Sequence, residues 1–443
     1  MSRAIPFTRR EFLASTSLLL AGGTGLLYGR PVARLSADPI RVGLVGCGGR
    51  STTAALQAIS ADPGVLIWAM GDLFADRLSG AYGRLASQLG DAGRDRLQVP
   101  ADRRFLGFDA YQGVLASGVD SVILTAPPHF RPRHVAAAID AGKHVFAETP
   151  LAIDAPGVRS ILASIRAAET RRLAFQAGFC WRHADAERAA FARLREGVIG
   201  RVVTVHSTYY GHTLPTHPRR PEWSDAEWQY RNWLHFAWLS GDHVVEQAVH
   251  SIDRLHWAMD DGWGGRPARL PVRATALGGR AARRGPESGN IFDHFTVVYD
   301  YADGAQAIAT CRQIDGCPRD NSDYIFGAAG SGIINGWGKV HAFRDERGGA
   351  LWSFTPPPRP REMYQVAQDE FFASIRAGRP VNDGPRPAHT TLMAIMGRMA
   401  AYTGQTVTWD DALNSTDDFT PDTYTLGDLP VDPVPVPGAP RQP

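Results

Sequence analysis

Residues 40–51 read IRVGLVGCGGRS. Ile40-Arg41-Val42-Gly43-Leu44-Val45 has the apolar texture of a buried strand, and it runs directly into Gly46-Cys47-Gly48-Gly49-Arg50-Ser51. TTAALQAISA follows with the spacing of an amphipathic helix. In this context Gly46 permits the tight turn, and Gly48 lets backbone amides approach a pyrophosphate at the helix N-terminus. Ser51 stands where a third glycine is usual. A second strand, residues 65–70, ends at Gly71-Asp72, 26 residues after Gly46. A carboxylate at that tip would accept hydrogen bonds from the adenine-ribose hydroxyls and repel a 2′-phosphate. NAD is therefore expected before NADP, with Arg77 softening the preference.

The alternation continues outward. SVILT (121–125) reads as a strand, RPRHVAAAIDAG as a helix closed by Gly142, KHVFA as the next strand and APGVRSILASIRAAETR as the next helix. Right-handed βαβ units and a parallel sheet follow. From about residue 172 the strand-like segments become two-faced: RVVTVHSTYY, DHFTVVYDY, AQAIATCRQI and DYIFGAAG predict an open, mainly antiparallel sheet. The predicted fold class is α/β, a Rossmann dinucleotide-binding domain over residues 38–171 followed by an α/β domain over 172–345. Helices within 346–413 are expected to pack back on the first domain. The Pro- and Asp-rich tail, 414–443, reads as an extended arm or a disordered segment.

Composition fits a two-domain globular protein: 443 residues, 44% hydrophobic and 21% charged. The net charge of +2 is uneven, since Arg3, Arg9, Arg10, Arg30 and Arg34 all precede residue 38, against Glu11 alone. No basic footprint for nucleic acid remains. Thr8-Arg9-Arg10-Glu11-Phe12-Leu13, followed by a moderately apolar run, resembles a twin-arginine export signal over residues 1–37. The twin-arginine (Tat) machinery is thus an expected partner and a periplasmic or exported location the expected destination. Retention of the uncleaved run as a membrane anchor stays open. An oxidising compartment permits disulfides, and Cys311 and Cys317 are near enough in sequence to close a small loop. Lysine is almost absent, with only Lys143 and Lys339.

Three segments carry the chemistry: TAPPHFRPRH, AGKHVFAETP and SGDHVVEQAVHSID. With the GCGGR loop they resemble the glucose–fructose oxidoreductase/inositol dehydrogenase (Gfo/Idh/MocA) family over roughly residues 39–415. The resemblance implies a substrate held between the domains, with assembly as a homodimer or homotetramer through the C-terminal sheet. It further implies cofactor contacts at Gly46, Cys47, Gly48, Gly49, Arg50, Asp72, Ala126, Pro127, His129, Glu148, Thr149 and Cys180. The family's Glu-Lys-Pro is Glu148-Thr149-Pro150 here, and a threonine donates a hydrogen bond but is no cationic acid–base group. A cis bond before Pro150 would suit this turn. Proton transfer then falls to His250, which matches the family's catalytic histidine, with Glu246 one turn earlier on a helix expected from about residue 244 to 259. An imidazole beside a carboxylate is a competent base near neutral pH. Catalytic candidates are His250, Glu246 and Thr149. Asp253 is expected to orient the histidine, cap local structure or meet substrate. No metal is called: His243, Glu246 and His250 share a face but lack a fourth ligand. The family's usual histidine near the nicotinamide falls at Arg131.

An insert, residues 211–245, holds Trp223, Trp228, Tyr230, Trp233, Phe236 and Trp238 among Arg231, Asn232 and His235. Indole rings stack on the C–H faces of sugars, so the insert suits a carbohydrate cleft, although a core or a subunit interface has the same composition. Arg182, Tyr210, Arg231, Trp233, His250 and Asp253 are the expected substrate contacts. An exported enzyme must keep its NAD tightly bound and regenerate it in place. Three readings stay open. The first is net oxidoreduction of a sugar or sugar-derived alcohol. The second is redox-neutral glycoside cleavage, elimination or epimerisation through transient oxidation. The third is a non-catalytic cofactor- or sugar-binding protein.

Overall fold

The computed structural model describes residues 38–439 except 261, 263, 264, 266 and 339. The export segment and Lys339 lie outside the described residues. Six strands form a parallel sheet: β1 (Ile40–Val45), β2 (Val65–Asp72), β3 (Arg104–Leu106), β4 (Ser121–Leu124), β5 (His144–Ala147) and β6 (Phe175–Ala177), in the order β3-β2-β1-β4-β5-β6. Val42, Leu44, Val122, Ile123, Val145 and Phe146 are all buried, as strands covered on both faces require. The chain returns to the middle of the sheet between β3 and β4. The strand order therefore reverses beside β1, and a crevice opens past the C-terminal ends of β1 and β4.

The second sheet has nine strands: β7 (Val202–Gly211), β8 (Arg273–Gly279), β9 (His294–Asp300), β10 (Gln306–Gln313), β11 (Ser322–Gly327), β12 (Gly330–Asn335), β13 (Val340–Asp345), β14 (Ala350–Ser353) and β15 (Val407–Thr408). Their order is β14-β13-β12-β11-β7-β10-β9-β8-β15, antiparallel except where β10 meets β7. The sheet thus runs past residue 345 and recovers a strand from the C-terminal region. One face is covered by the helices Val249–Ala258 and Arg386–Thr403; the other leaves Leu277, Phe326 and Val340 exposed. The helix Met363–Arg376 places Ala367, Phe371 and Phe372 in one core with Ile40, Val42 and Leu44, tying the C-terminal region to the first domain.

Two buried ion pairs fix the helix Val249–Ala258. Arg182 bonds Asp253 through Nε and Nη2, and Arg254 Nε bonds Asp323 at 2.6 Å. The helix itself is shorter than the sequence suggests. His243–Glu246 forms a separate turn, because Ala248 N–H bonds the His243 carbonyl five residues back and His250 N–H bonds Gln247, only three back.

Beyond the short helix Trp409–Asn414 the tail is an extended arm packed on the insert. Phe419, Tyr424 and Leu429 cover the cluster of Phe130, Trp228, Tyr230 and Trp238. Gln229 Nε2 donates to the Leu429 carbonyl at 2.7 Å, and Ala226 N–H to that of Gly427 at 3.1 Å. Among the described residues no helix is long and apolar enough to cross a membrane. The four cysteines are free: Cys311 points into the core from β10, and Cys317 lies half-exposed in the following loop, so the Cys311–Cys317 bridge is not formed. Removing residues 415–443 should expose this aromatic cluster and lower the thermal midpoint by about 5 °C or more. An unchanged midpoint in calorimetry would mean the arm contributes nothing to the fold.

Candidate active site

Two adjoining cavities occupy the crevice. The first lies between Gly46, Cys47, Gly48 and Asp72 on one side and Tyr230, Arg231 and Trp233 of the insert on the other. Gly46 has φ +89°, and a Cβ there would stand 2.5 Å from the Ala126 nitrogen, so only glycine allows β1 and β4 to end this close together. The helix Gly49–Ala61 starts immediately after, with neither a side-chain cap nor an acidic residue in its first turn. Its amides are left for an anion. Asp72 accepts from Cys47 N–H at 2.6 Å and Phe74 N–H at 2.8 Å. Burial raises its pKa, opposed by those two amides. Asp72 and Arg77 both line the cavity. The glycine cradle, the open helix terminus and the carboxylate fit a dinucleotide: amides for the pyrophosphate, Asp72 for the ribose.

The second cavity shares Thr125, Ala126 and Trp233 with the first. Arg50, Arg131, Glu148 and Thr149 line it together with Glu246, Gln247 and His250, and with the rings of Trp181, Tyr209, Trp337 and Tyr364. Cys180 also lines it, its thiol pushed up to about 12 by burial. The Thr149–Pro150 peptide is cis. Glu148 is paired with Arg50 at 2.6 Å.

Burial decides the charge states here. Glu246 is pushed up to about 7 because its carboxylate is out of water, with Arg131 as the one opposing charge. His250 is pushed down to about 4 by the same desolvation, which outweighs Asp253. Glu246 Oε2 and His250 Nδ1 are both buried without a hydrogen-bond partner among the described residues. The carboxylate is thus the group poised near neutral pH, and the imidazole is a neutral hydrogen-bonding group. Desolvation governs both groups, because a fully buried imidazole gains more from losing charge than the Asp253 carboxylate returns.

Other expectations are corrected by placement. His129 lines neither cavity; its Nε2 lies 2.8 Å from the Tyr424 hydroxyl, and Trp238 packs against its edge. Arg182 and Asp253 are 3% and 1% exposed and bind each other, so neither reaches substrate, and Asp253 does not bond His250. Tyr210 pairs in register with Arg312 and bonds Thr310 on the open sheet face, whereas Tyr209, in register with Cys311, faces the cavity. Arg231 lines the dinucleotide side, held by Asp76 and Glu227 and lying over Phe74. Gly49 opens the helix but touches neither cavity, while Pro127 borders the first. His243 packs against Phe295, away from Glu246. Sequence reasoning missed Trp181, Gln247, Trp337 and Tyr364. Tyr364 reaches the site from a helix about 180 residues downstream of Trp181, and no local signal announces it.

Gly46→Ala should strain the loop and weaken dinucleotide binding about tenfold or more in calorimetric titration; unchanged affinity would remove the loop from the site. Asp253→Ala strands a buried guanidinium and should cost about 3–5 kcal/mol in denaturant unfolding. A loss below about 1 kcal/mol, the range of exposed pairs, would contradict the buried ion pair.

Two family models match the chain: "Oxidoreductase family, NAD-binding Rossmann fold" over residues 40–179 and "GFO/IDH/MocA C-terminal domain" over residues 188–332. Among curated relatives, 2,7-anhydro-N-acetylneuraminate hydratase of Escherichia coli (strain K12) is 24% identical over 43% of this chain and 44% of its own. Inositol 2-dehydrogenase 3 of Saccharopolyspora erythraea is 27% identical over 50% and 54% respectively. The chain spans about half the length of the curated relatives it matches. The fold is shared with a levoglucosan dehydrogenase solved with NADH and levoglucosan (TM-score 0.64, 17% identity, 84% of this chain and 99% of that one). It is also shared with an aldose-aldose oxidoreductase from Caulobacter crescentus (TM-score 0.63, 19% identity, 84% and 100%). Matched in sequence order along one chain and seated around one crevice, these two domains make the chain a member of the GFO/IDH/MocA oxidoreductase family, its first domain an NAD-binding Rossmann fold.

Proposed function

We propose that this chain is an NAD(P)-dependent oxidoreductase acting on a sugar or sugar-derived alcohol, with Glu246 as the proton acceptor. One observation carries the proposal: the dinucleotide cavity opens, through Thr125 and Ala126, onto an aromatic-walled space holding one carboxylate poised near neutrality. A nicotinamide bound there would supply the two-electron oxidation of a carbinol carbon. The chain's own groups would do the rest. Trp181, Trp233, Trp337 and Tyr364 offer faces for the C–H surfaces of a sugar ring, and Gln247 and Asn321 offer polar partners for hydroxyls. Ionised Glu246 takes the proton of the reacting hydroxyl. The Thr149 hydroxyl and neutral His250 orient that hydroxyl without changing charge.

A redox-neutral course, in which transient oxidation labilises a neighbouring bond before re-reduction, has specific support from threonine in place of the lysine and from a hydratase among the relatives. Nitrophenyl glycosides separate the two courses, since released nitrophenol marks cleavage and accumulating reduced cofactor marks oxidation. Two further readings belong to this proposal: export of the folded, loaded protein by the twin-arginine route, and self-association through the sheet face bearing Leu277, Phe326 and Val340.

Because Glu246 must be ionised to accept a proton, and its pKa is raised to about 7, turnover should be full above that value and fall away as pH drops through it. Glu246→Gln should lower kcat by about 10²–10⁴-fold and erase that acid limb. A profile still bending near pH 7 in the variant would move the role of base elsewhere. His250→Ala should reduce turnover while leaving the acid limb in place.

A further inference from the structure

We infer that Arg131 is the fixed cation of this site, the group that holds the reacting oxygen as its proton leaves, and so takes over the electrostatic share of what a lysine at position 149 would do. The inference rests on the oxidoreductase reading and adds a residue to it.

The position follows from the main chain. Arg131 opens the helix Arg131–Asp140, and its side chain turns back under the crevice. Nε donates to the Pro150 carbonyl at 3.1 Å and Nη1 to the Leu124 carbonyl at 2.7 Å. The guanidinium therefore bridges the end of β4 and the residue after Thr149, and its plane is set by two backbone groups that cannot swing away. It is 3% exposed, and it lines the second cavity together with Glu148, Thr149 and Glu246. Of its five N–H groups, two are taken by these carbonyls. The other three have no hydrogen-bond partner, and no carboxylate lies within 4.0 Å, among the described residues. Glu148, the nearer candidate by sequence, is already occupied by Arg50.

A buried cation held by carbonyls alone is costly, and proteins usually pair it. Here the unmatched N–H groups border the space where a hydroxyl would lose its proton. When the O–H bond breaks, the new O–H bond forms on Glu246 and the electron pair stays on the substrate oxygen. A fixed positive fork beside that oxygen stabilises the charge as it develops. Burial lowers the Arg131 pKa only to about 10, so the group stays charged at neutral pH and cannot itself serve as base. Charge stabilisation and proton acceptance, which one amine could combine, are thus divided between Arg131 and Glu246.

The charged and titratable groups around Glu246 are Arg131, Arg50, Glu148, Cys180, Tyr209, His250 and Tyr364. Only Arg131 lowers its pKa appreciably. Arg131→Met and Arg131→Lys in the full chain test the inference in two independent ways. Infrared titration of the Glu246 carboxyl, identified by difference against Glu246→Gln, needs neither substrate nor cofactor. Arg131→Met should raise the midpoint by about one pH unit or more, while Arg131→Lys stays near the parent; an unmoved midpoint in Arg131→Met overturns the placement. On a sugar the parent turns over, Arg131→Met should lower kcat about 10²-fold or more with dinucleotide occupancy unchanged. Arg131→Lys should recover part of that loss, and full activity in Arg131→Met overturns the role. If Arg131→Met does not fold, Arg131→Lys still decides: it keeps the charge but loses the two-carbonyl clamp, so kcat must fall below the parent in a folded protein. A parent that oxidises no sugar defeats the oxidoreductase reading, and the infrared midpoint then judges Arg131 alone.

Discussion

The structure turns on one close approach, that of Gly46 to the backbone of Thr125 and Ala126. A Cβ at Gly46 would lie 2.5 Å from the Ala126 nitrogen and 2.8 Å from the Thr125 carbonyl carbon. Because β1 and β4 end this tightly, their following loops diverge at once, and the crevice between them starts at the sheet edge. The Gly49–Ala61 helix terminus faces that crevice from one side and the Thr149–Pro150 turn from the other. The helix Met363–Arg376 shares a core with β1 and so holds Tyr364 over the same gap. A larger residue at position 46 would disturb both cavities together.

The second organising fact is the burial of the titratable side chains that line the second cavity. Desolvation is the largest influence on Glu246, His250, Arg131 and Cys180 alike, and it pushes each toward its neutral form. The outcome depends on what opposes it. Arg131 has so high an ordinary pKa that it stays charged, Glu246 is brought near neutrality, and His250 loses its charge altogether. Other charges near the site are paired: Arg182 with Asp253, Arg254 with Asp323, Arg50 with Glu148. The first two pairs anchor the helix carrying His250, which makes them structural supports of the site without contact with it.

Much of this was legible in the amino-acid sequence. The run from Ile40 to Ser51, with Asp72 at the next strand tip, predicts the parallel sheet and the dinucleotide cleft, because strand, turn and helix there are dictated by local chemistry. The two-faced strands β7, β9 and β10 were equally readable. What failed depends on tertiary facts. Tyr209 and Tyr210 differ only in which sheet face is covered, and alternation does not say which. β8, β13 and β14 carry Arg or exposed apolar residues along short stretches, so their pattern is weak. The slip between Glu246 and His250 has no glycine or proline to mark it. The opposite shifts of Glu246 and His250 follow from burial, which no spacing reveals. Arg131 was visible as a departure from a family pattern, but its two carbonyl partners lie 7 and 19 residues away and come together only in the fold.

The central claim is that a nicotinamide dinucleotide occupies the crevice at Gly46 and Asp72, next to the cavity holding Glu246. The most direct measurement is the mass and absorbance of the small molecule released when the purified protein is denatured, followed by dinucleotide titration of the emptied protein after refolding. Release or stoichiometric uptake of NAD or NADH, lost in Gly46→Ala, is the predicted result. A protein that emerges empty and takes up no dinucleotide would contradict the account at its base.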